Sequence, residues 1–252
     1  MSVEALSGKV FLIVTGASRG LGRQIAITFG SMLEEGSRAL LLARNKGALQ
    51  EVAKSIPSKV TVCTISADLS KSTDTKFKEF ISESLRGTTL SAFDRVVLVH
   101  NIGSIGNISQ NVNDIVDLKV WRDYYDLNFF VPAVLNAVVM NTFASKTIKK
   151  TIINITTLMA IKAYVRFGQY NSVFALENPD VNVLSYSPGP IDTDMFTTVC
   201  EKIADLKSRK MFNEMKEKKF LLTTEQVVNG LVQVLNEHKY NSADRVGYYE
   251  EM

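Results

Sequence analysis

The chain has 252 residues, 46% of them hydrophobic, and this length suffices for one large α/β domain with a substantial core. Its 29 basic and 26 acidic side chains leave a formal charge of +3, too small an excess to indicate a nucleic-acid or membrane partner. Two cysteines and two histidines exclude a disulfide framework and argue against a metal site, so we expect no metal.

Short apolar runs rich in β-branched residues alternate along the chain with segments of helix length. Runs that are apolar on both faces are typical of strands buried between two helix layers. The alternation predicts a doubly wound parallel sheet, the Rossmann fold, in a single domain spanning residues 1–252. The predicted strands are Val10 to Val14, Ala39 to Leu42, Val60 to Ile65, Arg95 to Val99, Thr151 to Ile155, Val181 to Tyr186 and Val246 to Tyr249, and the predicted crossover helices include Leu21 to Leu33 and Val116 to Phe143.

The first apolar run, Val10 to Val14, is followed at once by a glycine turn, which is typical of a buried strand and not of an export signal. No stretch reaches the roughly 18 apolar residues that a membrane helix needs. We therefore expect a cytoplasmic protein with no membrane partner.

The turn after this strand reads TGASRGLG and stands directly before a predicted helix. Glycines permit a tight turn and a close backbone approach, and a helix N-terminus offers unpaired N–H groups and a positive dipole to a pyrophosphate. The position favours a dinucleotide site over a plain strand-to-helix turn. The candidate cofactor-binding residues in this loop are Gly16, Ser18, Arg19, Gly20, Leu21 and Gly22.

The second strand ends in LLLARNK, which places Arg44 where an acidic residue would bind the free ribose 2′-hydroxyl of NAD. Two guanidinium groups, Arg44 and Arg19, suit a 2′-phosphate through charge-assisted hydrogen bonds. The pattern favours NADPH as the cofactor. The alternative is that Arg44 only caps a surface turn.

Further motifs follow at characteristic intervals: ADLS at 67–70, HNIG at 100–103, LN at 127–128, INITT at 153–157, Tyr170, and SPGPIDTDM at 187–195. With TGASRGLG, they resemble the short-chain dehydrogenase/reductase family over nearly the whole chain. Within that family, stretches such as YDLNFF and GYYEEM are most similar to the sepiapterin reductase branch. The resemblance implies NADPH-dependent reduction of the side-chain ketone of a pterin, in tetrahydrobiopterin biosynthesis.

The same resemblance implies roles for individual residues along the remaining strand ends. His100 is interpreted as a core or strand-end histidine without a catalytic role. The implied positions are Asp68 and Leu69 beside the adenine, Asn101 stabilising the end of the fourth strand, Asn128 holding a water in the proton path, and Gly189 and Thr193 framing the nicotinamide.

Addition of a hydride to a ketone builds negative charge on its oxygen, so the site needs a proton donor and a second hydrogen bond to that atom. Tyr170 and the hydroxyl of Thr157, thirteen positions earlier, are the candidates for these roles, with Asn128 as the third catalytic residue. Both hydroxyls and Met195 are also the candidate substrate contacts. The alternative is that Thr156 and Thr157 are ordinary β-branched strand residues.

A free phenol has a pKa near 10, and the resemblance implies a lysine four residues after the tyrosine that lowers it. Position 174 is Phe174, and only eight residues separate Tyr170 from Pro179. We therefore predict a shortened helix after Tyr170 and impaired turnover. The resemblance also implies a homodimer formed through this helix and the Val116 to Phe143 helix, an interface that a short helix would weaken.

Residues 200–220 carry many charges at helical spacing, which is typical of a solvated helix face. The resemblance implies that the segment 192–222 covers the substrate pocket as a lid. The leading interpretation is an NADPH-dependent carbonyl reductase with a small-molecule substrate. A catalytically silent nucleotide-binding protein, or a non-productive variant of the reductase, is the alternative from another class. A related reductase acting on steroids or other ketones is a third.

Overall fold

A computed structural model describes the backbone of residues 3–156 and 165–249, and the side chains of these residues outside 165–168. Seven strands in the described ranges form one parallel sheet of order β3-β2-β1-β4-β5-β6-β7. This is the predicted doubly wound arrangement, with the order reversing between β1 and β4. The strands are β1 Val10–Thr15, β2 Arg38–Ala43, β3 Thr61–Ser66, β4 Arg95–His100, β5 Lys149–Ile155, β6 Val181–Ser187 and β7 Arg245–Gly247.

Helices connect the strands and cover both faces of the sheet. Each predicted strand is present, and its ends lie within three residues of the predicted ones. The helices are α1 Gly20–Met32, α2 Lys46–Lys54, α3 Asp74–Leu85, α4 Leu118–Tyr125, α5 Val131–Thr142, α6 Val165–Glu177, α7 Asp194–Lys202, α8 Leu206–Glu217 and α9 Thr224–Glu237.

The core lies in two layers because successive side chains of a strand point to opposite faces. In the fully buried strand β1, Leu12 and Val14 face the layer formed with α1, α2 and α9, whereas Phe11 and Ile13 face the layer formed with α3, α5 and α6. Phe11 packs against Phe143 with ring centroids 5.2 Å apart. Burial on both faces explains why the strand carries no polar alternation.

The long helix predicted over Val116 to Phe143 is two helices joined by a π-helical turn, Asp126–Phe130. Pro132 is the second residue of α5, directly after the π turn. A π turn widens the helix locally and is common at functional sites. This turn contains Asn128.

Helix α6 begins before Tyr170 and has 13 residues, of which seven follow the tyrosine. At about 1.5 Å per residue it is long enough to cover the neighbouring strand, because it starts five residues earlier than Tyr170. Asn178 ends it by donating a side-chain hydrogen bond to the Phe174 carbonyl at 2.8 Å. The predicted short segment after Tyr170 is therefore present as the second half of a helix of ordinary length.

Within the described residues, no helix is long and apolar enough to cross a membrane. The same ranges contain no cluster of three or more histidine, cysteine, aspartate or glutamate side chains that could hold a metal ion.

Candidate functional site

The glycine loop between β1 and α1 is built so that its backbone cannot carry side chains at two points. Gly16 has a φ of +67°, a conformation that favours glycine. A Cβ on Gly22 would lie 2.3 Å from the Gly16 carbonyl oxygen and 2.3 Å from Asn101 Nδ2. The first turn of α1 therefore packs directly onto the loop, and its N-terminus opens at the carboxyl end of the sheet, as an anion site requires.

Asn101 joins the end of β4 to this loop. Its Nδ2 donates to the carbonyls of Thr15 and Gly16, each at 3.3 Å. The Thr15 hydroxyl accepts from the Asn101 and Ile102 amides, both at 3.1 Å, and donates to the Val99 carbonyl at 3.1 Å. The contacts agree with the backbone-stabilising role inferred for Asn101, and they add Thr15, whose position as the last residue of a strand gave no signal in the sequence.

The two candidate arginines lie in different surroundings. Arg19 precedes α1, and its guanidinium forms an exposed ion pair with Asp194 at 3.0 Å. Arg44 follows β2 and has an exposed side chain. Near it, Asp68 accepts hydrogen bonds from the Ser70 amide and hydroxyl, and the hydroxyl bond lowers the pKa of the Asp68 carboxyl. The carboxylate next to Arg44 is thus already engaged within its own turn.

Three other predicted nucleotide contacts differ in how much side chain they expose. Ser18 is half-buried, and Leu21 is buried in the first turn of α1. Leu69 is buried with 1% of its surface exposed and packs in the layer under α3. Only the backbone of Leu69 is therefore placed to border an adenine.

The turn after β6 carries the two predicted nicotinamide residues, and one of them, Thr193, lies beside the glycine loop. Gly189 has a φ of +74°, and a Cβ there would lie 2.8 Å from the Tyr249 ring. Thr193 caps α7 by accepting from the Phe196 amide, and its methyl lies 3.7 Å from the position of a Cβ on Gly20. Thr193 and the glycine loop are therefore neighbours, and we call the place where they meet the cleft.

The predicted lid, residues 192–222, is a pair of helices, α7 and α8, held together by Phe196 and Phe212 with ring centroids 5.7 Å apart. Its two ends meet, because the Asp192 amide donates to the Leu222 carbonyl at 2.9 Å. Met195 is 44% exposed and lies at the beginning of α7. The segment is therefore a closed hairpin of helices whose root lies at the cleft, and its role as a lid remains a prediction.

Asn128 lies in the π turn, buried to 5% exposure. Its Oδ1 accepts from the Ser104 amide at 2.9 Å, and its Nδ2 donates to the Tyr124 carbonyl at 2.8 Å. Asn128 therefore connects the loop after β4 with helix α4 through these two hydrogen bonds.

The hydroxyl of Tyr170, which belongs to α6, contacts α5 beyond the π turn that holds Asn128. This hydroxyl is 3.5 Å from the Ala133 carbonyl and 3.5 Å from Asn136 Nδ2. These partners follow Asn128 by five to eight residues, which is about 8–12 Å along a helix axis. Thr157, the other predicted hydroxyl, lies outside the described residues. The structure thus brings the glycine loop, Asn101 and Thr193 together, whereas the Tyr170 hydroxyl contacts α5 beyond the π turn that holds Asn128.

Comparison with known proteins identifies the family. A family model described as short chain dehydrogenase matches residues 10–204. The chain belongs to the short-chain dehydrogenase family. It is 30% identical to sepiapterin reductase of Xenopus tropicalis, over 99% of this chain and 100% of that protein, and 28% identical to the Bos taurus enzyme, over 97% and 96%.

Solved structures of short-chain dehydrogenases share the fold. One from Saccharomyces cerevisiae superposes with a TM-score of 0.78 at 21% identity, covering 96% of each chain. L-sorbose reductase from Gluconobacter frateurii, determined with NADPH and L-sorbose, gives a TM-score of 0.75 at 22% identity, covering 98% of this chain and 97% of that one.

The environment of Tyr170 in this short-chain dehydrogenase makes its phenol a weaker acid. Burial raises the pKa of Tyr170 above its ordinary value, while the Asn136 hydrogen bond opposes the shift and Glu177 adds to it. Phe174 stands four residues later with 9% of its surface exposed, and its ring centroid is 5.9 Å from that of Tyr170. An aromatic ring therefore packs where a cation would lower the pKa of the phenol.

Asn136 is a residue that the sequence did not single out. Buried to 1% exposure, it contacts Tyr170 through Nδ2 and His100 Nε2 through Oδ1, at 2.7 Å. Burial lowers the pKa of His100 to about 4. His100 is thus a core histidine at the end of a strand, as inferred. The only sign of its partner in the sequence was that Asn136 is a polar residue within an apolar helical run.

Proposed function

We propose that this chain is an NADPH-dependent carbonyl reductase of the sepiapterin reductase type, acting on the side-chain ketone of a pterin in tetrahydrobiopterin biosynthesis. The observation that carries the proposal is the glycine loop, where Gly22 leaves no room for a side chain beside Gly16 and Asn101. Similarity to curated sepiapterin reductases over nearly the full length supports a pterin as the substrate.

The described residues fit a bound dinucleotide, which would supply the hydride. The N–H groups at the beginning of α1 would bind the pyrophosphate, because a helix N-terminus stabilises negative charge. Arg44 and Arg19 would bind the 2′-phosphate, and Arg19 would exchange its ion pair with Asp194 for this contact. Asp68 and the Leu69 backbone would border the adenine, with Gly189 and Thr193 beside the nicotinamide.

In this proposal Tyr170 donates the proton, Thr157 gives the second hydrogen bond, Asn128 positions a water, and Met195 contacts the substrate. The raised pKa of Tyr170 predicts slow turnover, since burial holds the phenol above its ordinary range. Each pKa unit of mismatch is worth about 1.4 kcal/mol.

A second candidate is a nucleotide-binding protein without catalysis. The position of the Tyr170 hydroxyl favours it, because its partners Ala133 and Asn136 belong to the packed interface between α5 and α6. Both candidates expect cofactor binding, so binding alone does not distinguish them.

The deciding experiment follows NADPH consumption with sepiapterin, a simple diketone and a steroid ketone, beside calorimetric titration of NADPH. Slow consumption with sepiapterin supports the reductase, and consumption only with another ketone reassigns the substrate. Binding without any consumption supports the silent protein. A variant with a helical segment inserted after Tyr170, carrying a lysine four residues from it, should turn over faster; equal rates would refute the account of an impaired site.

We also propose a cytoplasmic homodimer. The two cysteines, Cys63 and Cys200, are buried thiols, as is usual in a reducing compartment. Four apolar side chains of α6, α5 and the π turn are exposed, and a second copy would cover them. They are Phe130 at 54%, Val134 at 38%, Val173 at 54% and Leu176 at 82% exposure.

Leu176→Asp tests this interface. By light scattering, we expect the parent to be a dimer and the variant to be a monomer. The new carboxylate would be desolvated in the interface without a partner, which is unfavourable. Leu206→Asp is the control, since Leu206 is 73% exposed on α8. A parent that is monomeric at high concentration would contradict the proposed dimer.

A further inference from the structure

Four buried polar side chains, one each on β4, β5, β6 and α6, carry atoms that have no hydrogen-bond partner among the described residues. The residues are His100, Asn154, Asn171 and Ser187, each exposing 4% of its surface or less. Native proteins seldom leave buried polar atoms unpaired, because desolvation is then uncompensated. The unpaired atoms are His100 Nδ1, both amide atoms of Asn154, Asn171 Oδ1 and Ser187 Oγ.

These side chains lie together on one face of the sheet. His100 is in register with Asn154 on β5, and Asn154 with Ser185 on β6. Ser187 stands two residues after Ser185 and so points to the same face. Asn171 reaches the row from α6, where its Nδ2 donates to Ser185 Oγ at 3.3 Å. We call His100, Asn136, Asn154, Asn171, Ser185 and Ser187 the polar layer.

Asn136 determines which nitrogen of His100 carries the proton. Because Asn136 directs its Nδ2 to the Tyr170 hydroxyl, its Oδ1 is left to accept from His100 Nε2 at 2.7 Å. Nε2 must then be the protonated nitrogen, and Nδ1 is an acceptor. Burial favours this neutral form of the ring.

The unpaired atoms mix donors and acceptors and carry no net charge. Asn154 Nδ2 donates, His100 Nδ1 and the amide oxygens accept, and the Ser187 hydroxyl does both. A cation would meet the Asn154 donor, and an anion would meet three acceptors. A small neutral molecule that both donates and accepts hydrogen bonds satisfies the whole set, and water is that molecule.

We propose that the polar layer is an internal water-binding site that ties α6 to β4, β5 and β6, with a water donating to His100 Nδ1. The site stands apart from the proposed reductase activity, since none of its unpaired atoms is assigned to cofactor or substrate. Bound water would then help to fix the position of α6 on the sheet, in addition to apolar packing. The position of Tyr170, which α6 carries, would depend on that water as well.

The test is NMR on protein with ¹⁵N-labelled histidine and asparagine. The chain has two histidines, so a His238→Asn variant assigns the His100 signals. We expect the Nε2-protonated neutral ring for His100 and through-space cross-peaks from water to its ring and to the Asn154 amide. A ring protonated at Nδ1, or the absence of water cross-peaks, overturns the proposal.

Asn154→Leu removes both unpaired amide atoms at similar volume and gives a second readout. We expect the water cross-peaks of His100 to weaken and the urea midpoint to fall; a raised midpoint would mean that the amide lies dry and unpaired. If this variant does not fold, Ser187→Ala is used instead, with loss or shift of the cross-peaks expected and unchanged cross-peaks counting against the site. Asn182→Leu is the control, because Asn182 points to the other face of β6 and bonds Tyr240 at 2.9 Å.

Discussion

In the nucleotide half of the cleft, formed by β1 to β4, predicted residues contact one another: Asn101 bonds the glycine loop, and Gly22 packs on Gly16. In the half formed by β5 and α6, the hydroxyl of the predicted proton donor Tyr170 bonds Ala133 and Asn136, which the sequence did not single out. The difference arises because α6 determines where Tyr170 lies. The contacts of the glycine loop with Asn101 and Thr193 involve residues outside α6. Under the proposed function, separate parts of the chain would bind the coenzyme and present a proton to it.

The largest effect on coenzyme binding should come from Gly22→Ala in the nucleotide half. The new Cβ would lie 2.3 Å from a backbone oxygen that cannot move aside cheaply. We expect NADPH affinity by calorimetry to fall about 100-fold or more, equivalent to about 2.7 kcal/mol. The control is Gly47→Ala, where the nearest atom is 3.7 Å away. Unaltered binding by Gly22→Ala would show that the loop is not the coenzyme site.

The pH dependence of stability tests the half that contains α6, because the buried His100 bonds Asn136, which also contacts Tyr170. Its pKa is about 4 in the folded chain and 6.5 ordinarily, so the unfolded chain binds the proton more readily. Stability is therefore full above about pH 6.5 and is lost as the pH falls towards 4, by about 3 kcal/mol. Urea unfolding at several pH values measures the loss, and His100→Asn should remove that part of it. The same pH dependence in parent and variant would contradict a buried neutral histidine.

The Tyr170→Phe variant tests whether catalysis and coenzyme binding can be separated. Under the reductase proposal, losing the proton donor lowers kcat by about 100-fold, in the range for general acid catalysis. NADPH affinity should stay unchanged, because the hydroxyl bonds the Ala133 carbonyl and the Asn136 amide of α5, and neither group is among the proposed coenzyme contacts. Tyr240→Phe controls for loss of a buried hydroxyl away from the cleft. Equal kcat in Tyr170→Phe and the parent would leave Tyr170 as a packing residue between α5 and α6.

The smallest effect is expected for Arg44→Ala. Loss of one charge-assisted hydrogen bond should raise the Kd of NADPH about tenfold, since such bonds contribute about 1.5 kcal/mol or more. The Kd of NADH should not change, because it lacks the 2′-phosphate. Lys46→Ala, an exposed cation two residues later, is the control. Equal weakening of both coenzymes would argue against a specific phosphate contact.

The sequence predicted the sheet well because its strands are short apolar runs whose burial on both faces leaves few alternatives. It predicted the glycine loop because tight turns restrict residue type. It could not place Tyr170, whose depth depends on where α6 begins. The sequence also did not reveal the partner of Arg19. Asp194 is 175 residues away and comes close to Arg19 only in the folded chain.

The ion pair between Arg19 and Asp194 has a consequence for the sequence of binding events. It fastens the root of the helical hairpin 192–222 to the loop where a coenzyme phosphate would arrive. A phosphate that takes the guanidinium would release the carboxylate, and the hairpin would lose that tether. If the hairpin acts as the proposed lid, coenzyme would enter first and free the lid for the second reactant, in an ordered scheme that begins with the exchange of one anion for another.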